Sequence, residues 1–321
     1  MSDALPFVSI IIPTRPGQAD IPAVAVARAL DYPKDRLEII IARGKQPAVQ
    51  RNAAIRAARG ELIYFLDDDS RVQQDNLRRA LAHFKDPQVK MLGGPNLCPP
   101  EAPSLEQIFA VVLSSWLAVV SSRARYESVG VARESSEKEL ILCNMMARRD
   151  ALLELGGFDE SLYPNEENAL MDELQKRGGI LIYNPQFIVH RRPRPTLKAF
   201  CKMLFTYGRG RAEQFRLHPT PGSALNFVPP LFCMYLAAAP LLALALGPIV
   251  FAPLALYFLA VISQTAVSMT SKGVLRSLLA SPLLVASHVF YGLGFWRGLF
   301  TQLKQPGDKP VTEVNLETVS P

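Results

Sequence analysis

Between Leu217 and Ser271 this chain of 321 residues has not one Asp, Glu, Lys or Arg. A run that long without charge excludes an ordinary soluble surface there and predicts membrane spans. The four cysteines, Cys98, Cys143, Cys201 and Cys233, have no pair spacing. That excludes a zinc pattern and a disulfide framework, and fits reduced thiols in a cytosol-facing protein. Met1 to Pro6 lacks a basic n-region and an apolar core, so no cleaved signal peptide is expected. Acid is scarce from Arg191 to Arg216, where eight basic residues face Glu213 alone. Beside apolar spans, such a cluster suits anionic lipid headgroups and a cytoplasmic location. Nucleic acid is the weaker explanation of the net charge of +6.

What is present divides near Ala224 into a charge-mixed part and an apolar part. In the first, Leu62 to Leu66 is an apolar run too short for a helix, following Gly60 and running into Asp67-Asp68-Asp69. It reads as a buried strand of parallel type. Strand carboxyl ends face the ligand crevice of an open α/β sheet, so the three acids stand where a bound group would meet them. Adjacent carboxylates repel, and a hard divalent cation held through oxygen removes that cost. Asp is also common in turns and helix caps, so the triplet gains its weight from its neighbours.

Phe7 to Ile12 reads as the first strand, stopped by Pro13, with Thr14 and Arg15 in the loop at the same sheet edge as the acids. Ile21 to Leu30 is a helix, Leu37 to Ile41 a second strand, and Arg43 to Gln46 a basic loop suited either to phosphate or to plain solvation. Ala48 to Ala58 is a helix with Arg51 and Asn52 near its start, and Asp75 is placed to cap another. Such alternation predicts a mostly parallel sheet with covered faces. Val89 to Leu92 and Leu140 to Ala147 are further strands, the second containing Asn144. Leu105 to Val120 is an apolar helix, either core or interfacial.

Asn165 is placed to cap a helix running to Arg177, with Glu166 and Glu167 in its first turn. Glu167 aligns with Leu170, Met171 and Leu174, the apolar face, whereas Glu166 aligns with Glu173 and Arg177. Glu167 is therefore expected to be the buried acid, with a raised pKa suited to a general base. Thr196 to Arg216 reads as a basic amphipathic helix lying on a membrane. Phe227 to Leu246 and Ile249 to Met269 are long enough to span, while Leu278 to Phe300, broken by Pro282 and Arg297, either spans or is re-entrant.

Together, Val8-Ser9-Ile10-Ile11-Ile12-Pro13-Thr14, Gln50-Arg51-Asn52-Ala53-Ala54-Ile55, Gly60 through Asp69, Gly156-Gly157-Phe158-Asp159-Glu160, Asn165-Glu166-Glu167-Asn168 and Tyr207-Gly208-Arg209-Gly210-Arg211 carry a resemblance. The chain resembles the family 2 inverting glycosyltransferases of GT-A fold, in particular membrane-associated bacterial enzymes of succinoglycan or exopolysaccharide biosynthesis. The resemblance implies a Rossmann-like nucleotide-sugar-binding domain at 1–195, a basic interfacial segment at 196–224, a transmembrane region at 225–303 and a flexible tail at 304–321. It implies a cytoplasmic-membrane location with the catalytic domain on the cytoplasmic side. Asp67 and Asp69 would hold Mn2+ or Mg2+ against the diphosphate of a nucleotide-sugar donor, and Glu167 would take the proton of an acceptor hydroxyl. Thr14, Arg15, Arg51, Asn52 and Asp68 complete the expected donor site, and Asn144 and Glu166 the acceptor site. The acceptor would be polyprenyl-linked.

The chain departs from the family where Glu-Glu-Asn replaces the usual Glu-Asp, and where Ala42-Arg43-Gly44-Lys45 replaces an Asp-rich loop. A processive synthase is a poorer match, since such enzymes usually carry more spans and a Gln-X-X-Arg-Trp motif that is missing here. A non-catalytic membrane scaffold with a degenerate transferase fold is the remaining alternative.

Overall fold

The computed structural model describes residues 5–162, 165–217, 219, 221–303 and 313–321. Its strands are β1 (Val8–Thr14), β2 (Leu37–Arg43), β3 (Leu62–Leu66), β4 (Arg71–Val72), β5 (Val89–Gly93), β6 (Asn96–Leu97), β7 (Arg133–Glu134), β8 (Asn144–Arg148), β9 (Ile180–Tyr183), β10 (Val189–His190) and β11 (Asn315–Val319). The helices are α1 (Pro22–Arg28), α2 (Pro47–Ala57), α3 (Asn76–Leu81), α4 (Ser104–Leu113), α5 (Trp116–Val119), α6 (Arg149–Glu154), α7 (Glu166–Lys176), α8 (Leu197–Leu217), α9 (Val228–Leu246), α10 (Ala252–Lys272) and α11 (Val274–Phe300). The chain forms two compact units, one of residues 1–99, 124–191 and 304–321, the other of residues 100–123 and 192–303.

The first unit is built on an eight-stranded sheet of order β11-β2-β1-β3-β8-β5-β9-β7. Alternate side chains of a strand point to opposite faces, and this sorts the core into two layers. From β3, Ile63 and Phe65 join Ile11, Ile40, Phe158 and Met171 on one face, while Leu62, Tyr64 and Leu66 join Ile10, Ile39, Leu77 and Phe187 on the other. All five side chains of β3 are buried, and burial of each large apolar one contributes roughly 2 kcal/mol. The strand therefore anchors whatever its end carries.

An α/β domain is present as expected, but its sheet is mixed. β1 runs parallel to β2 and β3, and β5 parallel to β9, whereas β8 is antiparallel to both β3 and β5 and β11 is antiparallel to β2. Alternation of strands and helices leaves the direction of a late-inserted strand open. β1 also continues through Pro13 to Thr14. A second, three-stranded sheet of order β4-β10-β6 brings Arg191, just past β10, toward the end of β3.

Other expectations need correction. The tail is not wholly flexible: β11 pairs with β2 over five residue pairs, from Asn315 opposite Arg43 to Val319 opposite Ile39. Arg43 is accordingly occupied, ion-paired to Glu317 at 3.0 Å and donating to the Gln18 carbonyl at 2.7 Å. Residues 304–312 lie outside the described ones. Asp75 precedes α3 but does not cap it, because its carboxylate is drawn to Arg79 at 2.6 Å.

In the second unit the apolar stretch Leu105 to Val120 is two helices, α4 and α5, bent by 61°. α11 packs along α8 through small residues. A Cβ at Gly208 would strike the Tyr291 carbonyl, and one at Gly294 that of Phe205. Among the described residues, three helical segments are long and apolar enough to cross a membrane: Ser223–Leu246, Pro248–Lys272 and Val274–Phe300.

Candidate active site

At the end of β3 the three acids separate by partner. Asp67 turns one carboxylate oxygen to Arg51 at 3.4 Å and the other to Arg191 at 2.9 Å. Asp69 accepts from Arg191 Nε at 2.6 Å. Asp68 accepts from Gln18 Nε2 at 2.6 Å, and its carbonyl accepts from Ala23 N–H at 3.1 Å. The Arg191 guanidinium thus bridges Asp67 and Asp69, and the field of Asp67 holds it charged against the cost of burial.

Arg51 links this cluster to α7. Its Nη1 lies 3.4 Å from Glu166 Oε1, and both side chains are buried. Burial, and then the charge of neighbouring Glu167, push the Glu166 carboxyl up to about 7, with Arg51 pulling the other way. A buried acid needs a cation nearby, and α2 provides one.

This reverses the expected order of the two glutamates. Glu166 is the buried acid, while Glu167 is half-buried and makes no hydrogen bond to any described residue. Helical spacing relates a residue to its own helix, but Arg51 of α2 reaches Glu166 in the first turn of α7, a contact the spacing does not register. Asn165 begins that turn with a left-handed φ of 98° and gives no side-chain cap. Its Oδ1 instead accepts from Asn168 Nδ2 at 2.9 Å, and Asn168 Oδ1 accepts from Arg125 at 2.6 Å.

Thr14 is buried at the end of β1 with its hydroxyl unpartnered among the described residues. Arg15 follows it in an exposed loop. A buried hydroxyl without a partner, next to an acid cluster, suits a polar ligand.

Two expected contacts fall elsewhere. Asn52 donates to the Phe158 carbonyl and to Glu160, both at 2.9 Å, and accepts from Phe158 N–H at 2.8 Å. Both its donors are used, so it ties α2 to the turn before α7 rather than facing a ligand. Asn144 is fully buried, accepting from Tyr64 OH at 2.9 Å and donating to the Phe187 carbonyl at 2.5 Å. It is a core amide whose side chain is engaged on both its oxygen and its nitrogen. In turn, sequence reasoning missed Arg191, Gln18 and Arg125. Arg191 had been counted within the basic cluster before the spans, and only the need of paired acids for a cation pointed to it.

The donor set suits a divalent cation in part. Asp67 and Asp69 offer the oxygen ligands that a hard ion takes, and the guanidinium between them marks a place where positive charge is stabilised. No third His, Cys, Asp or Glu among the described residues completes a preformed cluster. Remaining ligands would come from a bound diphosphate or water.

The family model for glycosyl transferase family group 2 matches residues 62–295, from the acid-bearing strand through the apolar helices. The chain belongs to that family. Among curated relatives, a pre-mycofactocin glycosyltransferase of Mycobacterium tuberculosis is 26% identical over 186 residues, 54% of this chain but 36% of that relative. The match therefore spans little more than a third of the relative's length. Among solved structures, the mannosyltransferase PcManGT from Pyrobaculum calidifontis, in complex with GDP-Man and Mn2+, is 18% identical and covers 93% of this chain and 88% of its own, with a TM-score of 0.52. That likeness establishes a GT-A fold. Residues 1–349 of Staphylococcus aureus TarS in complex with UDP-GlcNAc are 13% identical over 97% of this chain and 96% of that one, with a TM-score of 0.43.

Proposed function

We propose that this chain transfers a sugar from a nucleotide-sugar donor to a hydroxyl of a polyprenyl-linked acceptor, at the cytoplasmic face of a bacterial-type inner membrane, with inversion at the anomeric carbon. The observation that carries the reading is one constellation. Asp67, bridged to Asp69 by Arg191 at a strand end, is joined through Arg51 to Glu166 at a helix start, and Glu167 is the next residue of that helix.

Asp67 and Asp69 would hold Mn2+ or Mg2+, which when bound supplies positive charge to the leaving nucleoside diphosphate. Thr14, Arg15 and Asp68 flank that place and would receive the nucleoside. Arg51 keeps Asp67 and Glu166 in register. Glu167, whose carboxylate has no side-chain partner among the described residues, would take the acceptor proton as its oxygen attacks the anomeric carbon. Glu166 lies beside it and sets the local charge.

The three long apolar helices support the membrane acceptor, because a polyprenyl chain does not leave the bilayer. The unit carrying the site would be the catalytic domain, and the helical unit its anchor. The test is transfer from a panel of nucleotide sugars in membranes, with and without Mn2+, comparing the wild type with Asp69→Ala and Glu167→Gln. One donor turned over, with both variants inactive, is the expected result. Failure with every donor, together with no metal-dependent nucleotide binding, would overturn the reading in favour of a scaffold.

A further inference from the structure

The C-terminal strand constrains how the chain threads a membrane. We infer that the chain crosses twice, through α9 and α10, and that α11 lies on the same side as the eight-stranded sheet, alongside α8. The inference rests on the membrane reading above.

Were all three candidate helices to cross, the residues before α9 and after α11 would be on opposite sides. β11 forbids this. It hydrogen-bonds to β2 across five residue pairs, Glu317 pairs with Arg43 at 3.0 Å, and Arg28 donates to the Ser320 carbonyl at 2.9 Å. A strand cannot join a sheet through a bilayer, so the crossings between β10 and β11 are even in number. By the same argument α4 and α5, which lie in sequence between β6 and β8 of the sheet-bearing unit, enter and leave on one side.

Which helix does not cross follows from packing within the helical unit. α8 carries Lys198, Lys202, Arg209, Arg211 and Arg216 in 21 residues. Charged side chains at the bilayer centre are costly and rare, so α8 does not cross. α11 is seated on it. Gly294 meets Phe205, Gly298 meets Arg209, and Arg216 donates to the Gly298 carbonyl at 3.0 Å. The two helices run side by side in the same direction and share one depth. α11 also has a third of its apolar window covered by protein, 33% against 11% for each of the other two segments.

α9 and α10 are the opposite case. Apart from the terminal Lys272 they lie within the charge-free run, and Leu241, Leu244, Leu256 and Ile262 are all more than 60% exposed, whereas on α11 apolar exposure that high is confined to the two ends, Leu275 and Phe300. Acyl chains are the partner that such surfaces need. Gly247 and Pro248 then form the far tip, and Lys272 and Arg276 flank the returning turn at Gly273, on the side where basic residues gather.

The test uses the full chain in sealed vesicles of both orientations. Asp35→Cys, Leu246→Cys, Ser271→Cys and Ser320→Cys are made singly in a background whose four native cysteines are replaced by Ala, and probed with a membrane-impermeant maleimide. Asp35, Ser271 and Ser320 are expected to label from one side and Leu246 from the other. As a check free of cysteine replacement, an epitope after Pro321 on the otherwise native chain is expected to share the protease sensitivity of one before Met1. Labelling of Ser320 from the side opposite Asp35 would overturn the inference. So would Leu246 on the Asp35 side with Ser271 opposite, which makes α10 and α11 the crossing pair. Release of the chain by alkaline carbonate would instead sink the membrane reading itself, and is read separately from the labelling.

Discussion

Replacing Glu166 with Gln should stabilise the chain at alkaline pH and change little at acid pH. In the folded state the carboxyl stands at about 7 rather than its ordinary 4.5, raised by burial and by Glu167. Between those values the folded state binds a proton that the unfolded state has released, so stability falls as pH rises through the interval. Once Glu166 is ionised, the penalty amounts to roughly 3 kcal/mol at about 1.4 kcal/mol per pH unit. Glutamine keeps the shape and still accepts from Arg51, but it has no charge to desolvate. The attraction to Arg51 is already contained in the value of about 7, and Arg51 retains Asp67 at 3.4 Å, so the net gain at pH 8 should be about 3 kcal/mol. Thermal unfolding of the detergent-solubilised chain at pH 5 and pH 8 measures it. The wild type should be less stable at pH 8 than at pH 5, and Glu166→Gln should flatten that difference. If the two proteins keep the same difference between pH 5 and pH 8, Glu166 is not a buried acid held protonated, and the reasoning fails.

Three other expectations follow from the same geometry. Glu167→Gln should lower transfer by about 10²- to 10⁴-fold while leaving nucleotide binding intact, as calorimetry and turnover with the preferred donor would reveal. Asp67→Asn should weaken binding of Mn2+ with nucleoside diphosphate; unchanged affinity in titrations would remove Asp67 from the metal site. Asn144→Ala should cost about 2–4 kcal/mol of stability by stranding the Tyr64 hydroxyl and the Phe187 carbonyl, and should leave the acceptor KM unchanged. A selective rise in that KM would restore Asn144 to the acceptor site.

The fold class was readable because apolar runs such as Val8 to Ile12 and Leu62 to Leu66 are short, bounded and separated by helical patterns. The direction of β8 and the existence of β11 were not. An antiparallel insertion leaves no mark on strand composition, and the alternation in Asn-Leu-Glu-Thr-Val is too brief to stand out from a polar tail. The place of Asp67 and Asp69 at the end of a buried strand was legible from the apolar run before them. The roles within Asn165 to Asn168 were blurred, since the cover over a helix start comes from another element. Arg191 and Asp69, joined in the fold, stand 122 residues apart in sequence. No local pattern connects them.

β11 also has a consequence for synthesis. Glu317 is 274 residues beyond its partner Arg43, so the ribosome delivers the edge strand after every apolar helix has emerged. Until then the outer edge of β2, with Ile39, Ile40 and Ile41, is unpaired, and an open hydrophobic edge invites the wrong strand. The nascent chain must therefore reach its membrane, or a chaperone, with its sheet still incomplete. A catalytic fragment cut after Arg191 for soluble expression would keep that edge permanently, and co-expression of a peptide carrying Asn315 to Val319 is the natural remedy.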